Sequence, residues 1–316
     1  MNLRNTGFIA QKLFAVLAGF LVSCTIGFSA DFDIRIPAEF NYIVSTNAEL
    51  KKLASGMKFV EGPVWVAKDK GRLVFSNIPD NELKQWDAAT GLTTFRTDTH
   101  AANGNCLDLQ GHLISCEGGA RRVTITENDG SVRVLVGQFD GKKFNAPNDA
   151  VVKSDGTIWF TDPDYGLSKP KEVAGMYVYR LEPKTGKITA VVTDCDHPNG
   201  LCFSPDEKRL YIADSGKPHH IRAYDVDKAG TVSNSRIFCV IDKGVPDGIR
   251  CDTQGRVFSS AGDGVQIFNA KGELIGKILV PETPANLCFG GKNRKTLFIT
   301  ARTSLYSIDV LAKGDK

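Results

Sequence analysis

The sequence predicts an all-β fold, a six-bladed β-propeller, on three observations. Beyond residue 50, short apolar runs rich in Val, Ile, Phe and Tyr alternate with Gly, Asp, Pro and Asn, and stretches of helical period are few. Six similar units start 42, 45, 51, 48 and 38 residues apart. That is the spacing of a propeller blade, a unit of about four strands that buries its faces only against its neighbours. The chain of 316 residues, 42% apolar and 24% charged, has enough apolar side chains for a sizeable core. A β-sandwich is the competing architecture, and it leaves six units of this length unexplained.

In chain order, a targeting segment comes first. Arg4 and Lys12 lie in a polar lead around the apolar run from Leu13 to Val22, which is too short to span a bilayer comfortably. Residues 1–30 therefore read as an export signal and residues 31–316 as a single propeller domain. The mature chain is expected in the periplasm or outside the cell, without a transmembrane span. Two signal endings compete: Leu21 to Cys24 resembles a bacterial lipobox, which would lipidate Cys24, and Gly27 to Ala30 resembles an ordinary cleavage site. The stretch "NYIVSTNAEL" before the first unit is placed to supply the strand that closes the ring.

The units begin at Val60, Ala102, Pro147, Pro198, Pro246 and Pro284. Each has a polar entry, an apolar strand, a turn with Gly, Asp or Lys, and a second apolar strand, as in "PNDAVVKSDGTIWFTDP". Further strands follow in most units, as in "QIFNAKGELIGKILV".

Formal charge is +3, and removal of residues 1–23 takes away Arg4 and Lys12 and leaves +1. Such a balance gives no electrostatic reason to bind nucleic acid or anionic membrane. Seven cysteines follow Cys24, an odd number that cannot pair completely, and none has the CxxC spacing of a zinc or thioredoxin-like site. Cys106, Cys202, Cys251 and Cys288 sit inside apolar runs, where Cys acts as a small buried hydrophobe. An exported chain has the conditions for one disulfide, and the sequence does not name it.

The innermost strand of a blade runs beside the central channel, so the residue at its entry lies near the axis. The aligned entry residues are Glu61, Asn103, Asn148, Asn199, Asp247 and Ala285, five of them with a side-chain oxygen. A single Asn or Asp before a strand is ordinary turn chemistry. Five at equivalent positions, with Glu61 a poor turn residue, converge two carboxylates on one axis, which is costly without a cation. Two carboxylates with amide oxygens and no Cys or His describe a hard-cation site, and calcium fits best. Magnesium, manganese and zinc are alternatives, zinc the poorest because it prefers nitrogen and sulfur.

"FVEGPVW", "NAPNDAVVKSDGTIWFTDPDYG", "HPNGLCFSPDEKRLYIADS" and "VPDGIRCDTQGRVF" resemble the senescence-marker-protein/gluconolactonase (SGL, regucalcin-like) family of six-bladed propellers over about residues 50–310. The resemblance implies one divalent cation in the channel and hydrolysis of a small-molecule lactone or related cyclic ester. It implies Glu61, Asn199 and Asp247 as metal ligands, Asn148 on metal and substrate alike, Asn103 on the substrate side, and Asp247 as acid/base. Animal relatives that hydrolyse sugar lactones carry an Arg where this chain has Ala146, which leaves the substrate open.

Asp164 and His100 are further candidates for the substrate pocket, with Tyr165 beside Asp164, whereas Asp162 reads first as a strand-end turn residue. His219 and His220 are adjacent on a strand and point to opposite faces, which disfavours a shared metal. Trp65, Trp86 and Trp159 read as fillers between blades. Two alternatives stand beside the lactonase: a non-catalytic binding propeller, which would not need the axial oxygens, and a paraoxonase-type esterase, which would call for a His at the metal.

Overall fold

The computed structural model describes residues 26–315. The apolar run from Leu13 to Val22 and Cys24 lie outside the described residues. Six antiparallel sheets form the blades of a propeller, each running from an inner strand at the channel to an outer strand at the rim. The inner strands are Val60–Val66, Ala102–Leu107, Ala150–Val152, Pro198–Phe203, Ile249–Cys251 and Pro284–Gly290, one from each predicted unit.

Ring closure uses the amino-terminal segment, with a shift from expectation. The outer strand of blade 6 is Glu49–Ala54, paired with Ser304–Asp309, so it shares only Glu49 and Leu50 with the predicted closing stretch. Residues 41–48 instead turn after the short helix Pro37–Phe40. The reason is burial: Phe40, Ile43 and Val44 are fully buried between blades 5 and 6 and so are consumed before the strand begins. Phe32–Ile34 adds a fifth strand to blade 5, and Ile26–Ser29 a fifth strand to blade 6.

The core is six separate clusters, one at each blade seam. The seam of blades 5 and 6 holds twenty buried apolar residues and that of blades 1 and 2 only five, a contrast that bears on local stability. Trp65 stacks on Phe298 at 5.2 Å across the seam of blades 1 and 6, and Trp159 meets Phe203 edge-on at 5.2 Å between blades 3 and 4, as expected of fillers.

Candidate functional site

The channel mouth is built where the inner strands begin. In blades 1, 2, 4 and 6 the pairing with the second strand slips at this point, between Glu61 and Val64, Ala102 and Asn105, Pro198 and Leu201, and Pro284 and Asn286. A bulge takes a residue out of the ladder and re-aims its side chain. In blades 3 and 5 the regular strand starts only after the entry residue, at Ala150 and Ile249.

Hydrogen bonds from blade to blade join these entries. The Gly104 N–H donates to the Asn148 carbonyl (2.7 Å), Gly200 to Asp247 (3.2 Å) and Gly248 to Ala285 (2.9 Å). The Ser76 hydroxyl donates to the Asn103 carbonyl at 2.6 Å, and Asn286 Nδ2 donates to Glu61 Oε2 at 2.9 Å, linking blade 6 to blade 1. So close an approach excludes side chains. A Cβ on Gly200 would lie 2.3 Å from the Asp247 carbonyl oxygen, and one on Gly62, which has φ +52°, 2.1 Å from that of Asn103.

A second set of acceptors fixes the entry segments from behind. Asn77, Asp162 and Asp214 each end the second strand of a blade. Asn77 Oδ1 accepts the Lys58 N–H (3.1 Å), Asp162 Oδ2 the Asn145 N–H (2.8 Å), and Asp214 the N–H groups of Asp196 (3.0 Å) and His197 (2.8 Å). Asp162 is therefore a strand-end residue, as expected, and it clamps the segment leading to Asn148. Burial pushes its carboxyl up to about 7.

Glu61, Asn148 and Asn199 are buried, and Asp247 and Asn103 are partly so. Burial, then the charge of Asp149, pushes the Glu61 carboxyl up, against the hydrogen bond from Asn286. Burial and the charges of Glu61 and Asp149 push Asp247 well up, against the hydrogen bond from Asn199. Arg250 answers one of these charges, its Nη1 lying 3.2 Å from Asp149 Oδ2. With Glu61, Asp149 and Asp247 all ionised, three carboxylates against one guanidinium leave two negative charges, the deficit that a divalent cation would fill and without which burial favours the neutral acids. Oδ1 of Asp247 and Oδ1 of Asn103 are buried without a hydrogen-bond partner, so the donor set fits a cation on an observed feature as well as on charge. Among the described residues no three His, Cys, Asp or Glu side chains gather to hold a metal. A set of two carboxylates with amides lies outside that pattern and suits a hard ion rather than zinc.

The third-blade loop reaches the same mouth. Asp164 Oδ1 lies 3.4 Å from His197 Nε2, and its Oδ2 is 3.0 Å from Lys171 Nζ. Tyr165 packs on His197 with ring centroids 5.8 Å apart, and its phenol is raised by burial against hydrogen bonding with Ser215 and Asn199. His100, on the loop entering blade 2, has φ +52° and an exposed side chain. The sequence reading missed Asn286, which fills the empty sixth position from one residue beyond Ala285; allowing a one-residue offset would have found it. It also missed His197 and the pair Asp149 and Arg250. The latter are 101 residues apart and leave no local signal.

Residues 59–303 match the model of the SMP-30/gluconolactonase/LRE-like region. A gluconolactonase of Zymomonas mobilis is 33% identical over 88% of this chain and 84% of its own. A pentonolactonase of Haloferax volcanii is 28% identical over 76% of this chain and 80% of its own. A solved gluconolactonase of Xanthomonas campestris superposes with a TM-score of 0.84 at 34% identity, covering 91% of this chain and all of that one. With the six-bladed architecture and the ring of entry oxygens, these matches show that the chain belongs to the SMP-30/gluconolactonase/LRE-like family.

Proposed function

We propose that the chain hydrolyses a lactone at the channel mouth, with one divalent cation, calcium by preference, held by Glu61, Asn148, Asn199 and Asp247. The observation that carries this reading is the buried, unpartnered Oδ1 of Asp247 beside a second buried carboxylate, Glu61. The gluconolactonase and pentonolactonase relatives support an aldonolactone as the substrate class. Ala146 is buried and offers no guanidinium to sugar hydroxyls, so recognition falls to Asn103, Asn148 and the loop of Asp164 and Tyr165.

A cation held by Glu61, Asn148, Asn199 and Asp247 would supply Lewis-acid polarisation of the lactone carbonyl and stabilisation of the charge that grows on its oxygen. Asp247 takes the proton of the attacking water on a carboxylate oxygen and returns it to the ring oxygen as the C–O bond breaks. Asn199, fixed by its 3.1 Å hydrogen bond to Ser215, orients that carboxylate. Hydrogen bonds to Glu61 Oε2 from Asn286 Nδ2 and the Gly62 N–H favour its ionised form against the effect of burial. Export, with or without a lipid on Cys24, is proposed from the amino-terminal sequence alone.

The test is a hydrolysis panel of aldonolactones and simple lactones after chelation and after return of calcium, magnesium, manganese or zinc. Activity is expected to vanish on chelation and return with a cation, and Asp247→Asn is expected to lower kcat by about 10²-fold or more. An inert wild type with every ion, or a fully active Asp247→Asn, would sink the proposal.

A further inference from the structure

Past the entry residues, the downstream halves of the inner strands enclose a cavity of about 410 Å³ around the axis. Arg250 lines it and pairs with Asp149. Four of the residues lining it are cysteines: Cys106, Cys202, Cys251 and Cys288. All four are free thiols, and nothing in the proposed chemistry uses them.

Two of them touch. Cys202 of blade 4 donates its S–H to Sγ of Cys251 of blade 5 at 3.7 Å. Their strands are neighbours, held together above this point by the Gly200 to Asp247 backbone bond. Sulfurs already in contact on adjacent strands are candidates for a bond of about 2.05 Å. Cys195 is separate, with its thiol 3.5 Å from the Tyr224 hydroxyl.

We propose that Cys202 and Cys251 form an inter-blade disulfide under oxidising conditions, using a small organic disulfide that enters the cavity as oxidant. One thiolate attacks the oxidant and releases one molecule of its thiol. The second thiolate attacks the mixed disulfide and releases the other. The two cysteine protons end on the two leaving thiols, so two thiols are oxidised and one disulfide is reduced. The contact with Cys202 and burial push the Cys251 thiol well up, so the exchange is slow and quickens with pH. The bond would tie Pro198–Phe203, which carries Asn199, to Ile249–Cys251, which follows Asp247 directly after Gly248.

The probe is 2-hydroxyethyl disulfide, applied to the folded full chain, followed by acid quench and thiol titration in denaturant. Two thiols are expected to be lost. Trypsin should then give a reductant-sensitive species joining peptide 188–208 to peptide 251–256. Peptide 188–208 also contains Cys195, so the linkage is expected to persist in Cys195→Ser and to vanish in Cys202→Ser and in Cys251→Ser. The oxidised chain should melt roughly 5 °C higher, and the gain should disappear on reduction. Retention of all thiols after oxidation at about pH 8.5, or a linkage that survives Cys202→Ser, would overturn the pairing. A variant that fails to fold leaves the wild-type peptide map and the Cys195→Ser map to decide the matter.

Discussion

A methyl group added at Gly200 would sit 2.3 Å from the Asp247 carbonyl oxygen and 2.8 Å from Gly248 Cα and the Ile249 nitrogen, all backbone. Gly200→Ala must therefore move the blade 5 entry. It is expected to cost about 1–3 kcal/mol of stability in denaturant titration and to lower kcat for lactone opening more than it raises KM. Asp162 gives a pH signature. Its carboxyl titrates at about 7 in the fold against 3.8 as a free side chain. Its contribution is complete below the unfolded value and is lost as pH rises through the folded one. Asp162→Asn is expected to narrow the stability difference between about pH 5 and pH 8 by roughly 2 kcal/mol, read from unfolding curves at the two pH values. An unchanged slope would refute it. Among single residues, Glu61, Asn148, Asn199 and Asp247 were legible because they recur at one position of a repeat. Asn286 was hidden by its offset, and Arg250 because its partner Asp149 lies in another blade.

At the scale of elements, blade spacing and inner strands could be read from the apolar runs and turn residues. The bulges could not, since "VEGPVW" and "PNGLCF" carry no mark that the ladder slips there. Nor was it evident that second strands end in acceptors for the entry segments. That device predicts that Asp214→Ala, which leaves the N–H groups of Asp196 and His197 without their acceptor, costs about 2–4 kcal/mol and loosens Asn199. Urea unfolding and hydrogen exchange of the 196–199 segment would read both effects, and the exposed pair Arg236 and Asp225 serves as a near-neutral control. The closing strand was misplaced because the apolar residues before it, Phe40, Ile43 and Val44, pack as a plug between blades.

For the whole molecule, stability is distributed by seam. Blades 1 and 2 share five buried apolar residues together with a polar network in which Asn105 Nδ2 donates to the Gly62 carbonyl at 2.9 Å and the Ser115 hydroxyl donates to Asn105 Oδ1 at 2.7 Å. Blades 5 and 6 share twenty and include the amino-terminal plug. Opening is therefore expected first between blades 1 and 2, seen as weaker amide protection in Ala102–Leu107 than in Pro284–Gly290. Uniform protection around the ring would contradict this. The closure of blade 6 also governs how the chain is made. Leu50 pairs with Ile308, so Glu49–Ala54 must wait for a strand more than two hundred residues further along the chain. Until then the side of Glu49–Ala54 not paired with Ile26–Ser29 is an open sheet edge, available to a chaperone or to a second nascent chain. Closure of blade 6 is therefore a long-range docking step whose speed depends on chain search.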